Sequence, residues 1–136
     1  MTKPVRVLLV DDERTYIDAL AKVLGRRGMT VRTAYDGHAA VEAAHAEPFD
    51  VIVLDLKMPR MDGVATLEAI RSRDARTPVL LLSAHADLDA ARDALSRGAT
   101  DYLLKPCPVD DLVTAIEDAH ERAGYADDLA RRTRVE

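Results

Sequence analysis

Four apolar runs in this chain each stop on a polar residue that could do chemistry. Val5 to Val10 runs into Asp11-Asp12, Val51-Ile52-Val53-Leu54 into Asp55, Val79-Leu80-Leu81-Leu82 into Ser83, and Tyr102-Leu103-Leu104 into Lys105. A charge on the last residue of a buried strand is rarely there for packing. In an open parallel sheet that position borders the ligand crevice. Three carboxylates gathered there repel one another, and one stays protonated unless a cation sits among them. Mg²⁺ suits such a site, being small, oxygen-seeking and usually held by one or two carboxylates plus phosphate and water. No His/Cys spacing suggests zinc. A carboxylate can also act as a nucleophile and form an aspartyl phosphate. Phosphoryl transfer asks mainly for positioning and for cancellation of charge on the phosphoryl oxygens. A metal, a lysine and a hydroxyl would supply that.

The rest of the pattern says how these residues could meet. The first run is followed by a helix carrying Ile17, Leu20, Ala21 and Leu24, with Gly28 as its stop. Thr30 to Tyr35 alternates and is less apolar, which predicts an edge strand. An alanine-rich helix over about 38–46 follows Asp36-Gly37 and ends before Pro48. After the Asp55 strand, Val64, Leu67 and Ile70 mark a third helix. Leu88, Ala91 and Leu95 mark a fourth, stopped near Gly98; Leu112, Ala115, Ile116 and Ala119 mark a fifth. Five β-α units with apolar strands predict an α/β fold with a parallel sheet covered on both faces. The order 2-1-3-4-5, flavodoxin-like and doubly wound, is the commonest for five units. It puts the weak second strand at an edge and makes the other four contiguous, roughly 4.8 Å apart. Asp11, Asp12, Asp55, Ser83 and Lys105 then share one rim.

The totals narrow the class. The chain has 136 residues, enough for one domain with a real core. Its formal charge of −5 gives no general attraction to nucleic acid. No apolar run approaches the roughly 20 residues that span a bilayer. Met1-Thr2-Lys3-Pro4 leads straight into a strand, which leaves no room for a signal peptide. A single cysteine, Cys107, rules out an internal disulfide and points to a reducing cytoplasm.

Taken singly, each residue has a plainer explanation. Asp11 or Asp12 serves equally well as a cap for the first helix, and Ser83 as a cap for the fourth. Lys105 alone reads as a solvated charge and Tyr102 as an edge-strand packing residue. His38, His45, His85 and His120 read as surface residues, and Cys107 as a small apolar filler. Asp55 is the residue least open to such an explanation.

Asp11-Asp12, Asp55, Met58-Pro59, Asp62-Gly63, Ser83-Ala84, Gly98-Ala99 and Lys105-Pro106, in this order and at these spacings, resemble the receiver domain of the two-component response regulators. The resemblance covers about residues 5–120. It implies that Asp55 accepts a phosphoryl group from a sensor histidine kinase or histidine phosphotransfer protein. Asp12, Asp55 and the Lys57 backbone carbonyl would bind Mg²⁺ directly, and Asp11 mostly through water. Ser83, Ala84 and Lys105 would bind the phosphate, with a cis bond before Pro106. Ser83 and Tyr102 would switch a face made by helix 4, strand 5 and helix 5, read by a downstream protein or by a second, phosphorylated copy. Lys57 and His85 would tune the phosphoryl lifetime. Residues 1–123 would form the receiver, and 124–136 a charged tail or an extension of helix 5. The start at Met1 and the short stretch 121–136 favour a stand-alone receiver without direct nucleic-acid contact; a receiver cut from a longer transcriptional regulator or hybrid kinase is the alternative. Cys107 departs from the family, which commonly has a bulky apolar residue after Lys-Pro.

Two other functions compete. A phosphatase of the aspartyl-phosphate type usually carries a second acid two residues after its nucleophile, where this chain has Lys57. A flavin site would need Gly, Ser and Thr after the first strand, where this chain has Asp11-Asp12-Glu13.

Overall fold

The computed structural model describes residues 3–58 and 60–135. Met1, Thr2, Pro59 and Glu136, named above in the N-terminal segment, the Met-Pro pair and the tail, lie outside the described residues. Five strands, β1 (Arg6–Val10), β2 (Thr30–Ala34), β3 (Val51–Asp55), β4 (Val79–Ser83) and β5 (Asp101–Leu104), pair in parallel in the order β2-β1-β3-β4-β5. Helices α1 (Arg14–Arg26), α2 (Gly37–Ala46), α3 (Gly63–Arg71), α4 (Leu88–Ser96) and α5 (Val109–Val135) follow them, with a 3₁₀ turn, His85–Asp87, leading into α4. The α/β fold, the strand order and the five helices are those the apolar pattern predicts.

Because side chains alternate along a strand, the sheet supports two cores. On one face Val7, Leu9, Val51, Val53, Leu80 and Leu82 pack against Ile17, Leu20 and Leu24 of α1 and Leu112, Ile116 and Ala119 of α5. On the other, Leu8, Val10, Ile52, Leu54, Val79 and Leu81 meet Ala40 and Ala43 of α2, Leu67 and Ile70 of α3, and Ala91 and Ala94 of α4. Strands β3 and β4 are buried at every position, which is why they read as unbroken apolar runs. The edge strands β2 and β5 are partly exposed.

Local chemistry sets the helix limits. Gly28, at φ +88°, ends α1 in the left-handed conformation that glycine takes without steric cost. The Asp36 carboxylate caps α2 by accepting from the Ala39 amide at 2.7 Å, and Asp62 caps α3 by accepting from Ala65 at 2.8 Å. Helix α4 differs from the sequence expectation. Ala91 is buried as expected, but its fully buried partner is Ala94, while Leu88 and Leu95 are only half-buried. Small side chains set its contact with the sheet, so the leucines mark the rim of its apolar stripe rather than its centre.

Helix α5 continues past the core to Val135, and Tyr125 and Leu129 on that stretch are exposed. Arg76 bridges to Asp127 at 3.5 Å, and His120 Nδ1 lies 3.9 Å from Asp50 Oδ1. His120 is therefore half-buried against the base of the sheet rather than a plain surface residue. His38, His45 and His85 are exposed.

Candidate functional site

Strand register builds the site. Val10 pairs with Leu54, so Asp11 and Asp55 leave β1 and β3 at the same level. Asp55 pairs with Leu82, and Ser83 with Leu104, which brings Ser83 and Lys105 to the same rim. The Lys105 amide donates to the Ser83 carbonyl at 2.9 Å. Asp11, Asp12 and Asp55 each offer a carboxylate oxygen within 4.8 Å of the others. Lys105 Nζ donates to Asp11 Oδ2 at 3.0 Å and lies 3.6 Å from Asp55 Oδ1. Asp11 and Asp55 are buried, whereas Asp12 faces solvent.

The electrostatics follow from burial. Burial pushes the Asp55 carboxyl up to about 6, and the Asp11 charge adds to the rise. Lys105 and the Lys57 amide, which donates to Asp55 Oδ1 at 3.3 Å, oppose it. Burial would lower the Lys105 ammonium, but the hydrogen bond to Asp11 and the charges of Asp55 and Asp11 outweigh it, and its pKa is raised. One ammonium is set against three carboxylates, so negative charge remains uncompensated when all are ionised.

That surplus and the all-oxygen donor set fit a hard dication. Asp11, Asp12 and Asp55 are the residues that could hold it. Both oxygens of Asp11 are already engaged, Oδ2 by Lys105 and Oδ1 by the Glu13 amide at 2.9 Å, which suits a water-mediated role. The bond to Glu13 also answers the capping alternative. Helix α1 begins at Arg14, and no side chain caps it.

Ser83 does not cap α4 either. Its Oγ is buried and, among the described residues, has no hydrogen-bond partner. A buried hydroxyl without a partner is costly, and here it lies on the rim beside Asp55. Ser83→Ala is therefore expected to raise the stability of the unphosphorylated protein by up to about 1 kcal/mol, read from urea denaturation. A loss of stability would mean that the hydroxyl is already satisfied.

The remaining candidates stand further out. Lys57, Ala84 and His85 are exposed, and His85 opens the 3₁₀ turn. Among the described residues, the Lys57 and His85 side chains have no hydrogen-bond or ion-pair partner. Tyr102 pairs with Leu81 in the sheet and packs, half-buried, against the core beneath α3 and α4. The Lys105–Pro106 peptide is cis. Cys107 is half-buried, and burial, then the Asp111 charge, raises its thiol pKa. It packs against the core between the sheet and α1 and α5, as a small apolar filler would, and also lines an open cleft of about 370 Å³ with Glu13, Tyr16, Lys105 and Pro106. Sequence reasoning passed over Tyr16, whose ring centroid lies 5.3 Å from Lys105 Nζ. Its signal was faint: an aromatic residue four positions after Asp12, on the solvent side of Ile17.

A doubly wound parallel sheet with an acidic rim and a paired lysine defines a class of phosphoryl-signalling domain, and comparison with known proteins agrees. The model of the response regulator receiver domain matches residues 7–117, and the chain belongs to that family. It is 40% identical over 113 residues to the DNA-binding transcriptional regulator NtrC of Escherichia coli K12, covering 83% of this chain and 24% of that one. It is 38% identical over 120 residues to the regulatory protein AtoC of the same organism, covering 88% and 26%. The chain thus spans about a quarter of the length of these curated relatives. Among solved structures, the receiver domain of NtrX from Brucella abortus superposes with a TM-score of 0.80 at 34% identity, covering 85% of this chain and 98% of that one. A receiver domain protein from Clostridium thermocellum gives 0.85 at 31% identity, covering 90% and 98%. Among the described residues no helix is long and apolar enough to cross a membrane.

Proposed function

We propose that Asp55 accepts a phosphoryl group from a histidine kinase or histidine phosphotransfer protein, in the cytoplasm and with Mg²⁺ bound. The observation that carries this is the Asp55 carboxylate at the end of β3, buried, raised in pKa and within reach of Lys105. An Asp55 oxygen attacks phosphorus as the bond from phosphorus to the donor nitrogen breaks, and the electron pair leaves with the imidazole. When bound, Mg²⁺ supplies charge neutralisation for the phosphoryl oxygens. Lys105 exchanges its carboxylate contacts for those oxygens, and the Ser83 hydroxyl gains the partner it lacks.

A phosphoryl group adds about −1.5 to −2 charges, by analogy with other phosphorylated side chains. Drawing Ser83 inward leaves room for the Tyr102 ring, a packing change that phosphate biases. We infer that the face of α4, β5 and α5 carries the result to a protein partner, an attached output domain or a second copy. Lys57 and His85, exposed at the mouth, set how fast water removes the phosphoryl group.

Intact mass after incubation with Mg²⁺ and a small phosphodonor tests the acceptor. Wild type should gain one phosphoryl group and Asp55→Asn none; equal labelling of the variant would refute the assignment. Followed over time in the same assay, Lys57→Ala and His85→Ala should change the decay rate, and by more than a separate titration shows them to change Mg²⁺ affinity. Identical decay in all three proteins would show that the flanks are inert. Backbone amide shifts with beryllofluoride test the route: changes should reach 102–111 in wild type and stay near the acidic rim in Ser83→Ala.

A further inference from the structure

Lys105 is held from two sides. Inward are Asp11 Oδ2 at 3.0 Å and Asp55 Oδ1 at 3.6 Å; outward is the Tyr16 ring, 5.3 Å from Nζ to its centroid. A lysine stem is flexible and its ammonium strongly hydrated. The cleft of about 370 Å³ beside it gives that ammonium somewhere else to go. Of the residues lining the cleft besides Lys105, Glu13, Pro106 and Cys107 offer no aromatic face, and Cys107 is too small to occupy the space. Tyr16 does offer one, and a ring face within about 6 Å attracts an ammonium. Its place is set by α1, where the next residue, Ile17, is buried in the core with Leu20 and Leu24. Tyr16 as a whole residue is 36% exposed and belongs to neither core cluster, so packing alone gives no reason for its type.

We propose that Tyr16 is a positioning residue: its ring face holds the Lys105 ammonium over the Asp11–Asp55 pair and thereby sets how fast Asp55 takes up a phosphoryl group. The inference rests on the reading of Asp55 as the acceptor. The hydroxyl plays no part in it; the ring does.

Two substitutions separate the ring from its bulk. Tyr16→Phe keeps the aromatic face, and Tyr16→Leu keeps apolar volume without it. With a small phosphodonor and saturating Mg²⁺, Tyr16→Phe should restore the wild-type uptake rate. Tyr16→Leu should be slower by about two- to fivefold, the range for a cation–π contact at a partly exposed site. Ring-current shifts on the Lys105 side-chain protons should persist in Tyr16→Phe and vanish in Tyr16→Leu. Unfolding midpoints should stay equal, because the residue is outside both cores. An unslowed Tyr16→Leu would overturn the proposal. So would equal slowing of both variants, which would assign the effect to the hydroxyl. Absence of uptake in wild type would instead overturn the acceptor reading, and the Lys105 shifts would then decide the ring contact by themselves.

Discussion

Without metal, Asp55→Asn should be more stable than wild type at pH 7 by about 1–3 kcal/mol, and the difference should vanish at pH 4 and below. Asp55 titrates at about 6 in the folded protein against 3.8 for an ordinary carboxyl. Below the lower value both folded and unfolded chains hold the proton, and the group contributes nothing to the pH dependence. Between the two, the folded chain keeps a proton that the unfolded chain has released, so stability falls as pH rises. Above the upper value the loss is complete. A shift of about two units corresponds to about 3 kcal/mol as an upper bound. Asn cannot ionise, so the variant lacks this slope; carboxylates away from the rim are common to both proteins and cancel in the comparison, leaving Asp55 and the charges coupled to it, Asp11, Asp12 and Lys105. Urea denaturation at pH 4 and pH 7 reads the difference directly. Parallel profiles would mean that Asp55 ionises without penalty in the folded chain. Added Mg²⁺ should narrow the gap, since a bound dication stabilises the ionised form. By the same argument Asp12→Ala gains much less: Asp12 is exposed, and its charge is the least of the influences on Asp55.

What could be read from the sequence, and what could not, divides along physical lines. A strand buried on both faces has an apolar run as its signature, so the residue that breaks the run is visible. Asp55, Ser83 and Lys105 were found that way. Strand order then followed from β-α alternation, and with it the shared rim. Pair geometry was not legible. That Lys105 bonds Asp11 more closely than Asp55 depends on side-chain conformation, which spacing does not encode. The buried face of α4 was only half legible: Ala91 was read but Ala94 was not, because alanines carry too weak a hydrophobic signal to outrank Leu88 and Leu95. Tyr16 escaped because its partner is 89 residues away in sequence and adjacent only after folding. Gly63 stood out only as half of the Asp62-Gly63 pair, and the constraint on it, a close approach to backbone, exists only in the folded chain.

Gly63→Ala should destabilise the protein by about 2 kcal/mol, in the range for overpacking a rigid site. Gly63 opens α3, and its amide donates to the Leu56 carbonyl at 3.0 Å. Its φ is not in the left-handed region, so backbone freedom is not the reason for glycine. A Cβ there would collide with Leu56 Cα, and would stand 2.7 Å from the Asp55 carbonyl oxygen and 3.0 Å from the Leu56 carbonyl carbon. All three are backbone atoms, and no flexible side chain can swing aside. Helix propensity pulls the other way, favouring alanine by about 1 kcal/mol in a helix interior. The steric term wins because relief requires α3 to retreat from the segment that leaves Asp55. That retreat would carry Leu56 and the Lys57 carbonyl with it, so Mg²⁺ affinity should fall as well. Gly124→Ala is the matching control: it lies within α5, a Cβ there meets nothing within 4 Å, and it should gain stability by up to about 1 kcal/mol. Denaturation midpoints of the two variants should therefore move in opposite directions. If Gly63→Ala moves up with Gly124→Ala, the start of α3 does not press on the backbone behind Asp55, and the loop that follows Asp55 is held by something else.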